Sequence, residues 1–198
     1  MSISTRQIAL AAAFLALVFI AHAAGRILQI GGAQLAPSIA IYVIMALLMA
    51  PDLAWTPLVF IGLAVGILTM LATSSPFPLA NIPGHGLAFL FAAYLAKRFA
   101  VNNREASTTQ VIINLVLTTI ISWTLFSLVT WLGLANTPFS GREWVRFGTN
   151  FGKGYAAWWI SGFLGVGLPT MIISVILGPL LYRAVRPALV RQGSLRTA

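Results

Sequence analysis

The chain has 198 residues and a formal net charge of +9, yet only 8% of its residues are charged and 59% are hydrophobic. A soluble domain carries roughly 25% charged residues, so this composition excludes a fully water-exposed surface and makes lipid the expected solvent. The absence of cysteine excludes disulfides and thiolate metal sites, and the basic residues lie at the ends of apolar runs, which suits anionic lipid headgroups and no nucleic acid.

Arg6 followed by the apolar run 8–20 and Ala21-His22-Ala23 imitates a secretory signal with a small-residue cleavage site. It reads instead as a first transmembrane helix over 7–25. Within it, Ala9/Ala13 and Ala12/Ala16 are small residues four apart, a surface on which another helix packs closely, internal or external. Arg26 then snorkels at the interface, and Gly31-Gly32-Ala33-Gln34 forms a loop. The second apolar segment, 36–50, is bracketed by Pro37 and Pro51, and the third is 53–73, with Asp52 expected to cap it.

Next comes "TSSPFPLANIPGHG" (73–86), a proline-rich stretch without formal charge. The fourth segment is 83–96 and the fifth 108–134. Segments two and four are short against the roughly 20 residues a span needs, so they are shielded by neighbours or extended by ordered loop. Asn114, Thr118 and Ser122 on the fifth segment form a polar line that must face the bundle. The sixth segment, 156–182, carries Gly162, Gly165, Gly167 and Pro169, which allow close approach and a bend. The whole chain, 1–198, reads as one all-α integral membrane domain, a six-transmembrane-helix bundle.

Six spans place the N-terminus, the 4–5 loop and the C-terminus on one side, with eight basic residues, against four on the other. Positive charge favours the inside, so both termini are expected to be cytoplasmic. Loops 26–35, 74–82 and 135–155 then face outward. The last is cationic and aromatic: Arg142, Glu143, Arg146 and Lys153 alternate with Phe139, Trp144, Phe147, Phe151 and Tyr155, and Trp158 and Trp159 follow. Such a loop suits a ligand with a flat apolar body and a carboxylate, the arginines holding the carboxylate by charge-assisted bonds and the rings stacking on the body. The plain alternative is an interfacial aromatic belt.

The residues also resemble a known family. His22 closes the first helix, Gly31-Gly32 follows, Pro37 and Pro51 bracket the second helix, and Ile61-Gly62 and Gly66-Ile67 mark the third. Phe77-Pro78 then precedes Ile82-Pro83 in an F-P-x-x-x-I-P spacing. Together these resemble the substrate-binding S components of energy-coupling factor (ECF) transporters, within them the tryptophan transport protein family. The chain departs from that pattern at Ala36-Pro37-Ser38 and Gly84-His85-Gly86, where the family carries acidic and lysine residues. The resemblance implies a prokaryotic inner-membrane subunit that captures tryptophan, or another aromatic or vitamin-like molecule, outside and reorients to release it inside. It implies outer loops that cap a cavity, an Ala9, Ala12, Ala13 and Ala16 surface that meets the T component, and two separate ATPase subunits.

The expected ligand contacts are Gln34, Asn81, His85, Arg142, Trp144, Arg146, Tyr155 and Trp158. His22 and His85, at helix ends, equally suit headgroup or backbone partners. No metal or other cofactor is expected, since no third histidine, cysteine or nearby carboxylate joins the two histidines. A phosphate-loop signature and intramembrane acids are also lacking, so energy must come from partners. An intramembrane protease would need a serine before a histidine base, and Ser161-Gly162 has none after it. The remaining alternative is a membrane assembly subunit without a small ligand.

Overall fold

The computed structural model describes residues 3–25, 27–30, 33–75, 77–101, 105–135 and 153–193. Two helices start alike. Ser4 opens α1 (Thr5–Ala24) and Ser107 opens α5 (Thr108–Leu134), each accepting a bond from the backbone N–H three residues on while the glutamine there, Gln7 or Gln110, bonds back to the cap. This reciprocal cap satisfies N–H groups that the first turn leaves open, and it uses no charge.

After α1, β1 (Gln29–Ile30) and β2 (Ala33–Gln34) pair as a two-residue antiparallel ribbon, with Gln29 opposite Gln34 and Ile30 opposite Ala33. Helix α2 (Ser38–Met49) follows and runs into a 3-10 turn at Ala50–Asp52. Eleven of its twelve residues are buried. At about 1.5 Å per residue it is too short to cross roughly 30 Å of hydrocarbon alone. It does not meet lipid over its length, because α1, α5 and the helices Ala88–Phe99 and Leu168–Arg191 pack around it.

Helix α3 (Trp55–Ala72) begins at Ala54, which makes no side-chain cap bond, so the expected capping by Asp52 is not what the chain does. Asp52 lies in the preceding 3-10 turn, where its charge attracts Lys97. Lys97 in turn donates to the Leu53 carbonyl and sits over the Trp55 ring. The fourth span is longer than its apolar core. A 3-10 turn at Pro78–Ala80 and a π-turn at Ile82–Leu87 lead into α4 (Ala88–Phe99), so Pro83 begins a helical turn instead of ending one. Glycines let α3 approach that π-turn backbone to backbone: a Cβ on Gly66 would lie 2.8 Å from the Ile82 carbonyl oxygen, and one on Gly86 2.8 Å from that of Gly62.

The last span is broken in the same manner. Helix α6 (Tyr155–Gly162) passes through a π-turn at Phe163–Gly167 into α7 (Leu168–Arg191), nine residues beyond the expected end at 182. Near Tyr182 the start of α5 is fastened to α7. The Ala106 N–H donates to the Tyr182 hydroxyl at 3.0 Å, and Arg186 pairs with Glu105 at 3.2 Å. Among the described residues, five helical stretches are long and apolar enough to cross a membrane: Thr5–Ala24, Trp55–Ala72, Pro78–Phe99, Thr108–Leu134 and Tyr155–Arg191, with Ser38–Asp52 as a shorter apolar one. Helix dominates the described residues, and the lengths and composition are those of a multi-pass membrane protein.

Candidate functional site

The polar line on α5 faces inward. Asn114, Thr118 and Ser122 are all buried. Asn114 donates to the Ala92 carbonyl of α4 at 3.0 Å and accepts from Thr118 at 2.9 Å, so this end of the line serves packing between helices. Ser122 has a different partner. Its hydroxyl lies 3.2 Å from His85 Nδ1, the donor depending on the imidazole tautomer.

His85 lies on the first π-turn and is buried, so it does not meet headgroups. Its ring stands edge-on to that of His22, with centroids 4.9 Å apart. His22 Nδ1 in turn lies 3.0 Å from the Ser38 hydroxyl at the start of α2. The two histidines thus join α1 and α2 to the π-turn and α5. Tyr42 of α2 adds a third ring 5.9 Å from His85. Its hydroxyl is buried next to Ser122 without a completed hydrogen bond.

Of these, His22, His85 and Ser122 border a cavity of about 70 Å³, placed where loops 26–35 and 74–82 join the helices. His22, Asn81, His85, Thr119, Ser122 and Thr170 give it polar walls, and Trp123 and Phe126 give it aromatic ones. Thr73, Ser74 and Ser75 border it from the end of α3. Thr170 also accepts the Ala36 N–H at 2.9 Å, which fixes the start of α2 against α7. Both π-turns reach the cavity, the first through His85 and the second through Val166 and Gly167. A π-turn widens the helix locally and recurs at functional sites.

No family model, no curated protein and no solved structure matches this chain.

Of the expected ligand contacts, Asn81 and His85 border the cavity. The Asn81 amide already donates to the Pro78 carbonyl at 2.9 Å, which leaves it less free to serve a ligand than its chemistry alone implies. Tyr155 and Trp158 do not border it. The Tyr155 hydroxyl lies 3.3 Å from that of Ser127, and its ring packs edge-on against Trp131. Trp158 is buried beside Trp123, with centroids 5.8 Å apart, and forms a small core with Leu134. Gln34 is described only through its backbone in β2. Arg142, Trp144 and Arg146 lie outside the described residues.

The sequence reading passed over Thr119, Trp123, Phe126 and Thr170. Thr119 and Trp123 each follow a residue of the polar line, and that adjacency was the available signal. The small residues Ala9, Ala12, Ala13 and Ala16 are exposed, whereas Ala11, Phe14 and Val18 turn to the core. That stripe therefore faces away from the bundle.

Proposed function

We propose that this chain is the solute-binding membrane subunit of an uptake transporter, of the ECF S-component kind, with tryptophan as its first candidate ligand. One observation carries the reading: a partly enclosed cavity with polar and aromatic side chains in its walls, placed where the expected outer loops meet the helices. In this reading the Arg142–Arg146 region holds the ligand carboxylate from the loop side. Ala9, Ala12, Ala13 and Ala16 meet the T component, ATP hydrolysis resides in two further subunits, and both termini are cytoplasmic.

The cavity is small. An apolar cavity of about 150 Å³ takes benzene, so an indole would have to part these walls. The two π-turns and the α5 face are where they would part. The same small volume favours, as a second reading, an assembly subunit that binds no solute. Calorimetry and thermal shift on the purified chain against aromatic amino acids and vitamins separate the two. One-to-one, saturable binding without ATP is the expected result, and a blank screen overturns it. Arg142→Gln and Arg146→Gln are expected to weaken tryptophan binding about ten- to a hundredfold, the value of a charge-assisted bond, with Arg104→Gln as the unaffected control.

A further inference from the structure

Among the described residues that border the cavity there is no aspartate, glutamate, lysine or arginine. The neutrality extends beyond the lining. Helices α2, α3 and α5 and both π-turns contain no charged residue, and the charges of α1 and α7 lie at the far ends of those helices, at Arg6 and beyond Tyr182. An ionised ligand group placed here would lose its water and find no fixed counter-charge, which is unfavourable in a low-dielectric interior. A neutral donor or acceptor faces no such barrier. The His85–Ser122 pair and the neighbouring Thr119 offer hydrogen bonds, and Trp123 and Phe126, with centroids 5.9 Å apart, offer ring surface.

We infer that the cavity receives the uncharged, heteroaromatic end of the ligand, a ring N–H bonded within the His85–Ser122 pair, while the ligand's charged groups stay on the loop side. This rests on the solute-binding reading above and adds the ligand's orientation. The geometry also provides for the exchange. When the ligand takes the bond that Ser122 shares with His85, the Tyr42 hydroxyl, buried beside Ser122, is placed to supply a replacement. An inserted ring further divides the contact between His22 and His85, so binding reads out on both helix pairs that the histidines join.

The test uses the full purified chain at pH 8, where an unperturbed imidazole is neutral, and calorimetry with L-tryptophan, 1-methyl-L-tryptophan and indole. Replacing the ring N–H by N-methyl is expected to weaken binding at least tenfold. In Ser122→Ala and His85→Gln, with thermal unfolding followed in parallel, the penalty for methylation is expected to shrink, because the bond it removes is already impaired. Indole is expected to bind more weakly than tryptophan with little dependence on salt. Equal affinity for the methylated analogue, or a methylation penalty unchanged in both variants, overturns the inference while solute binding stands. Absence of binding across the indole series also overturns it. If vitamins and other aromatic amino acids fail as well, the solute-binding reading falls with it.

Discussion

Helices α1 and α2 are both strongly apolar, yet they occupy opposite environments. Only Ala11, Phe14 and Val18 of α1 are buried, and Leu17 and Ile20 stand outward. In α2 every residue but Ile41 is buried. In water this contrast would show as polar residues on the exposed face. In lipid the exposed face is apolar too, so the two helices differ in side-chain size and in neighbours more than in hydropathy. A spanning helix at the bundle edge needs full length, whereas an enclosed one does not, and the twelve-residue α2 uses that freedom.

The sharpest way to break this comparison is one substitution made in both helices. Ala46 of α2 is wholly buried, and Ala13 of α1 is exposed. Ala46→Leu must push core side chains apart and is expected to destabilise by about 3 kcal/mol, the upper end for overpacking. Ala13→Leu is expected to stay within about 0.5 kcal/mol. Reversible unfolding in mixed micelles measures both, and equal effects would mean that α1 is not at the edge. The same Ala13→Leu change, joined with Ala9→Leu, is expected to spare ligand affinity but abolish ATP-dependent uptake in the assembled transporter. Loss of binding with assembly retained would make the stripe internal packing.

Truncation gives the next largest contrast. Met45→Ala in α2 opens a cavity and is expected to cost about 2 kcal/mol, the low end for buried truncations, since lipid offers less drive for burial than water does. Leu17→Ala in α1, half exposed, is expected to cost under about 0.5 kcal/mol.

How far such contrasts were legible depends on what the residues record. The fifth span was readable end to end, because its run is uncharged throughout and its polar line must turn inward. The burial of α2 was legible from its length, which implied shielding by neighbours or extension by ordered loop, but not from its residues, since an apolar residue facing protein and one facing lipid look the same. The π-turns were equally silent, for Pro83 and Pro169 mark helix breaks as readily as wide turns. At the site, Asn81 and His85 were legible as polar residues in an uncharged stretch. Tyr155 and Trp158 stand in a packed corner away from the cavity, and aromatic density marks a ligand wall and such a corner alike. Thr119 and Trp123 were signalled only by their place one residue beyond the polar line, and Thr170 reaches the cavity through tertiary packing, which no local pattern states.

A smaller effect tests the walls around α2. Asn114 bonds α5 to the Ala92 carbonyl of α4, and both helices flank α2. Asn114→Leu is expected to cost about 1 kcal/mol, within the range for interhelical bonds in lipid, and to leave solute binding intact. A large loss of binding would place the cavity deeper than Ser122. The smallest expected effect is at the fastening of α5 to α7. Arg186→Gln removes the pair with the exposed Glu105 and is expected to cost about 0.5 kcal/mol or less, vanishing in high salt.

The two π-turns also act as phase shifters. Each adds a residue to a helical path and so rotates all that follows by about 100° relative to a continuous α-helix. Upstream and downstream portions of one span therefore answer to different neighbours: Tyr155–Gly162 is aligned with the aromatic corner, and Leu168–Arg191 with α2 and α5. The chain is in this sense length-sensitive where it bends least visibly. A further single residue inserted between Phe163 and Gly167 and wound helically would keep every apolar run apolar yet turn Thr170 away from the start of α2, whereas removing one would straighten the winding and keep its facing. Hydropathy would not register the change.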